Sequence, residues 1–338
     1  MNPRSLFSPV ACLFSLAAIG CGAPSPQEPA APSDQTAEVA QYRCVPLSAE
    51  ALRVKAPPTA LVVGDSRREA QVTSVRLCPS GQVPQALHNP APPRPLAAWL
   101  TATPGASADN RPVHASADSV YYAGVYKPTS ETGYALGVGA RLQIYNPQVA
   151  HSLDQVSTVV SMVRGASTSI VATGYRKFQT TYPTLLVGHT VGGVFQHVTG
   201  WVQVHPSYYP GMDLSGYIGA KPRFFVLYSG TDWWVYFNDA WVGYFPGSRW
   251  GGAFTSGEMA HWYGEVFVSG ARLPPVTDMG NGLFPPNAAS GAIEEMCTHN
   301  GTSCFLMGAA QSYVSNAAYY GLYYPGLSNL RYGGNGGG

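Results

Sequence analysis

The side chain best placed to do chemistry lies in the run His261-Trp262-Tyr263-Gly264-Glu265-Val266-Phe267-Val268. Read as a strand, the run puts Tyr263, Glu265 and Phe267 on one face and Trp262, Gly264, Val266 and Val268 on the other. A lone carboxylate between aromatic neighbours loses part of its water. That loss penalises the charged form, raises the pKa and suits the group to proton transfer. An exposed or ion-paired strand glutamate would carry the same local pattern. Other enzyme signatures are missing: there is no HExxH, no GxSxG, no P-loop and no dinucleotide glycine pattern. His197 and His205 lie near a turn with no third ligand at a recognisable spacing, so they read as turn or surface histidines. No metal and no cofactor is expected.

Six cysteines are present. Cys12 falls in an apolar N-terminal stretch, Leu6 to Ile19, that follows Arg4 and is too short to span a bilayer. It has the length and charge of a signal peptide, and it ends in Ala18-Ile19-Gly20-Cys21. Small residues before a cysteine resemble a lipobox, so Cys21 is the expected lipidation site and the chain is expected in the cell envelope or outside the cell. Cys44, Cys78, Cys297 and Cys304 remain. An even number in an exported chain points to disulfides, with three connectivities open. Local pairing, Cys44 with Cys78 and Cys297 with Cys304, is the simplest. A four-thiolate metal site is disfavoured because no C-x-x-C spacing occurs.

These groups need elements to hold them. Charged residues make up only 11% of the chain against a usual ~25%, while Gly, Pro and Tyr are abundant, which suits an extracellular β fold rich in turns. The net charge of +1 gives no electrostatic basis for a nucleic-acid partner. After the signal (1–21), residues 22–41 are Pro- and Ala-rich and form an expected flexible linker. Residues 42–90 carry one cysteine pair and form a small propeptide-like region; 91–118 form a second linker. From 119 to 332, short apolar runs alternate with turn chemistry. Examples are Phe224-Phe225-Val226-Leu227-Tyr228, Trp233-Trp234-Val235-Tyr236-Phe237 and Trp241-Val242-Gly243-Tyr244-Phe245. This spacing predicts an all-β, antiparallel sandwich of jelly-roll or concanavalin-like type behind a small N-terminal leader. Residues 333–338 form a Gly-rich tail expected to be disordered.

A series of short motifs, in order, resembles the neprosin family of secreted glutamic endopeptidases that cut after proline. They include Ile144-Tyr145-Asn146-Pro147-Gln148-Val149, Ser169-Ile170-Val171-Ala172-Thr173-Gly174-Tyr175 and Gly200-Trp201-Val202-Gln203. Further on come Val242-Gly243-Tyr244-Phe245-Pro246, Trp262-Tyr263-Gly264-Glu265-Val266 and Thr277-Asp278-Met279-Gly280-Asn281-Gly282. Cys78-Pro79-Ser80-Gly81-Gln82-Val83-Pro84 is similar to the family's leader segment. The resemblance implies a sandwich whose concave face bears two glutamates, one activating water and one assisting the oxyanion or leaving group, with activity at acid pH.

Glu265 matches the second glutamate. The first should stand two residues before Gly174, where the chain has Ala172, and no Glu occurs between Glu131 and Glu258. The family's disulfide before Gly200 is also missing. Arg176, on the same face as Ala172, is a candidate partner for Glu265, and Gln179 is a second because related peptidases use a Gln–Glu pair. Gln179, however, falls on the opposite face of a regular strand. Tyr263 is the expected aromatic binding residue. Two readings follow: a peptidase-type groove acting on or binding proline-containing peptides with weakened or altered activity, or a non-catalytic surface module for peptide or carbohydrate. Either is tied to the membrane by the lipid.

Overall fold

The structure is a computed structural model that describes residues 42–53, 57–59, 76–87, 118–129, 135–165, 168–179, 181–306 and 308–337. The signal segment, Cys21, the 22–41 linker and the 91–118 linker up to residue 117 lie outside the described residues. The strands in chain order are β1 (Tyr42–Pro46), β2 (Gln82–Ala86), β3 (Ser119–Pro128), β4 (Gly137–Leu142), β5 (Gln155–Arg164) and β6 (Ser169–Phe178). Then come β7 (Thr184–Val191), β8 (Val194–Gln196), β9 (Val202–Gln203), β10 (Arg223–Ser229), β11 (Asp232–Phe237) and β12 (Ala240–Pro246). The last six are β13 (Met259–Val268), β14 (Gly291–His299), β15 (Cys304–Leu306), β16 (Gln311–Val314), β17 (Gly321–Tyr323) and β18 (Leu330–Gly333).

Among the described residues all strand pairings are antiparallel. One sheet runs β16-β3-β13-β5-β6-β7-β8. The other runs β17-β18-β14-β4-β10-β11-β12-β9, with β15 paired to β14. Their inner faces meet in one core that includes Val125, Val160, Val171, Trp262 and Val266 from the first sheet and Val138, Phe224, Trp233, Phe245 and Ile293 from the second. The fold is the expected antiparallel β-sandwich. The indole N–H groups inside it are satisfied by backbone: Trp262 donates to Gly139 O at 2.9 Å and Trp233 to Phe254 O at 2.7 Å. Buried indoles need such partners, and here they tie the two sheets and their loops together.

The N-terminal strands β1 and β2 form a separate two-stranded ribbon clipped by the Cys44–Cys78 disulfide. Cys297 and Cys304 join β14 to β15 in the same way. Both bonds follow the local pairing. The ribbon rests on the nine-stranded side. Tyr42 meets Tyr209 with ring centroids 5.7 Å apart, and Trp241 Nε1–H donates to Pro58 O at 3.2 Å. A single helical turn, α1 (Ala49–Leu52), is capped by Ser48 and brings Ala51 against Val202, Trp234 and Tyr244. The glycine tail is not free over its described length. Met279 N–H donates to Gly334 O at 2.8 Å and Gly337 N–H to Pro275 O at 2.6 Å. A Cβ on Gly333 would stand 2.4 Å from Leu283 O, so glycine is what lets this tail lie against the neighbouring loop.

Candidate functional site

The outer face of the seven-stranded sheet carries the polar groups. On β13 the alternation of side chains sends Trp262, Val266 and Val268 into the core and Tyr263 into a separate cluster on the outer face. Register then sets the neighbours. Glu265 stands opposite Tyr122 of β3 on one side and Ser157 of β5 on the other, and Ser157 stands opposite Arg176 of β6. Tyr122, Glu265, Ser157 and Arg176 therefore form one row across four adjacent strands. The next row holds Gly124, Tyr263 and Val159; the one after holds Tyr126, His261, Ser161 and Ala172.

Glycine at 264 is what allows β13 to run straight under the site. A Cβ there would lie 2.4 Å from the Tyr332 ring. That ring cannot swing away, because its hydroxyl is hydrogen-bonded to Thr158 Oγ1 at 2.6 Å. Gly264→Ala is expected to cost roughly 2 kcal/mol by overpacking, read as a lower denaturation midpoint.

Glu265 is only 5% exposed. Burial pushes its pKa up from an ordinary 4.5 to about 8, and interaction with the Tyr122 phenol offsets part of the rise. Its Oε2 has no hydrogen-bond partner among the described residues. The carboxyl is thus a neutral acid at pH 7. Tyr263 and Tyr122 pack edge to face at 5.9 Å, and both phenols titrate well above their usual range, first because they are buried and then because the Glu265 charge repels a second anion.

Arg176 shares the row with the acid. Burial draws its pKa down to about 10, and its charge is felt by His197. Its guanidinium carbon lies 5.4 Å from the Phe178 ring centroid. Burial raises the Glu265 pKa and the Tyr122 phenol lowers it. Gln179 sits in the turn after β6 and donates to Ala150 O at 3.1 Å, away from the row. Ala172 is fully buried among Val159, Ile170 and Leu186. It lies two strands over from Glu265 and four residues along, which strand geometry makes about 10 Å across and about 13 Å lengthwise.

Three residues escaped sequence reasoning: Tyr122, Ser157 and Gln155. Gln155 is buried at the start of β5, on the same face as Ser157, and donates from Nε2 to Ser157 Oγ at 2.8 Å. The polar–apolar alternation of Gln155-Val156-Ser157 was the available signal; the strand opposite it was not. A cleft of about 190 Å³ lies elsewhere, between the β1–β2 ribbon and the segment around Trp201, and none of the Glu265 row lines it.

Among curated proteins no sequence matches the chain. Among solved structures it is similar to a scytalido-glutamic peptidase bound to a transition state analog inhibitor, at 10% identity and a TM-score of 0.43, over 64% of this chain and 99% of that one. It is also similar to SCP-B, a member of the eqolisin family of peptidases bound to a tripeptide, at 9% identity and a TM-score of 0.39, with the same coverage. Both likenesses are loose. The decisive match is to the family model for neprosin, which spans residues 155–335 and takes in β5 through β18 together with Gln155, Ser157, Arg176 and Glu265; the chain belongs to the neprosin family.

Proposed function

We propose that this protein is an exported peptidase-type domain, anchored by lipid at Cys21, whose outer sheet face binds proline-containing peptides and hydrolyses them slowly through Glu265. The observation that carries the reading is the buried carboxyl of Glu265, held neutral at pH 7 in a row with Tyr122 and Ser157. In its ionised form such a group can take a proton from an attacking water and return it to the leaving nitrogen. The buried Tyr122–Tyr263 pair would meet a prolyl ring only once this face is opened. The weakness follows from Ala172, because catalytic residues act as a unit and loss of one costs most of the rate. Every member of the Glu265 row is buried.

Glu265 acts as a base only when ionised. With a pKa near 8, kcat/KM is expected to rise with pH and level off above about 8, rather than peak in acid. The test is cleavage of matched peptides with and without proline from about pH 3 to 9, using wild type and Glu265→Gln. Slow cleavage of the proline peptides that falls about 100-fold or more in the variant is expected. Cleavage untouched by the substitution would overturn the role of Glu265. Peptide binding with no turnover at any pH would favour the second reading, a binding module, which Ala172 and the burial of the face already recommend.

A further inference from the structure

Peptide hydrolysis at Glu265 needs a second group to hold the oxyanion. Ala172 cannot supply it, Gln179 faces another loop, and Arg176 is engaged beside Phe178 and His197. We propose that Gln155, held by Ser157, is the oxyanion-binding partner of Glu265. This rests on the hydrolytic reading and adds a residue to it.

Three observations carry the assignment. First, Ser157 is the residue directly across from Glu265, and Gln155 is the next residue on the same face, opposite Phe267. A diagonal cross-strand neighbour lies about 7 Å away, within reach of two long side chains. Second, Gln155 is 2% exposed, yet its Oε1 has no hydrogen-bond partner among the described residues. Leaving a buried amide half satisfied is costly, and such groups are rare unless they wait for something. Third, the bond to Ser157 uses only one of the two amide N–H groups. Exchange of the amide O and N would leave both N–H groups open, so either orientation keeps a donor on this face.

The chemistry balances with water alone. Ionised Glu265 removes a proton from water as its oxygen bonds to the scissile carbonyl carbon. The carbonyl π pair moves to oxygen, and the free Gln155 N–H donates to that oxyanion. Glu265 then passes its proton to the amide nitrogen, the C–N bond breaks, and an acid and an amine leave. Ser157, which accepts from Gln155 Nε2, is a positioning residue.

Variants at Gln155, Ser157 and Ala172 and two readouts test this. Gln155→Met is expected to lower kcat about 100-fold or more with little change in KM, the usual loss for one oxyanion donor, and Ser157→Ala is expected to lower it less. Gln155→Glu places a second carboxyl beside Glu265. NMR titration of its side-chain carboxyl carbon should then show two coupled steps, with the Glu265 midpoint raised by about one unit or more. Ala172→Glu, much farther off, should leave that midpoint in place. Full activity in Gln155→Met, with Glu265→Gln inactive, would overturn the proposal while the hydrolytic reading survives. If the wild type cleaves nothing, the hydrolytic reading falls and takes the catalytic role with it. The titration then still decides whether Gln155 faces Glu265, and an unmoved midpoint in Gln155→Glu would refute that placement.

Discussion

Glu265→Gln should make the folded protein more stable at pH 9 than the wild type, and the advantage should vanish near pH 4. The folded pKa is raised to about 8 from 4.5, so between these values the native state holds a proton that the unfolded chain has released. Stability therefore falls as pH rises through this window and levels off above 8. At about 1.4 kcal/mol per pKa unit, the penalty reaches roughly 5 kcal/mol at most, a large share of a domain's 5–15 kcal/mol. Glutamine keeps the shape and carries no charge to bury. Urea midpoints of both proteins across pH 4 to 9 measure the effect. Parallel curves would mean that Glu265 ionises freely in the folded state.

Acid should unfold the protein for a different reason. His189, His197 and His261 are buried, and their pKa values are drawn down to about 4, 2 and 3. Burial is the main cause for all three; Arg249 adds to it at His189, and Arg176 at His197. Below the unfolded value of 6.5 the unfolded chain takes up protons that these imidazoles refuse, so stability drops as pH falls from about 6.5 toward their folded values. By pH 4 each contributes a loss of about 3 kcal/mol, while proton binding at Glu265 offsets about the same amount once. The net fall, roughly 6 kcal/mol, should show as a sharp decline in unfolding midpoint between pH 6.5 and 4. A flat midpoint over that range would show that the imidazoles are solvated. The two opposed slopes place maximum stability near neutrality, which fits a site that works as its glutamate ionises better than one adapted to strong acid.

Much of the fold could be read from residue order because strands and turns leave local signals. Phe224 to Tyr228, Trp233 to Phe237 and Trp241 to Phe245 became β10, β11 and β12. Gly230 takes the left-handed conformation, φ 67°, in the turn that joins the first two. The two-residue period also placed Tyr263 and Glu265 on one face correctly, since side chains alternate whatever the partner strand is. Pairing is not local, and there sequence reasoning stopped. Arg176 was rightly put on the face of Ala172, but nothing in the sequence says that Ser157 lies between Arg176 and Glu265. Gln155 becomes visible only once β5 is set against β13. The glycine tail misled because composition alone suggests disorder, whereas here the missing side chains let backbone dock closely.

Glu265 is an uncharged carboxylic acid at neutral pH, buried in a polar row of the outer sheet face. NMR titration of its side-chain carboxyl carbon, assigned by its loss in Glu265→Gln, tests this most directly. A single group should stay protonated through pH 7 and titrate near 8. A midpoint near the ordinary 4.5 would contradict it, since a solvated glutamate would leave the row around Tyr122, Ser157 and Gln155 without the property on which its proposed chemistry rests.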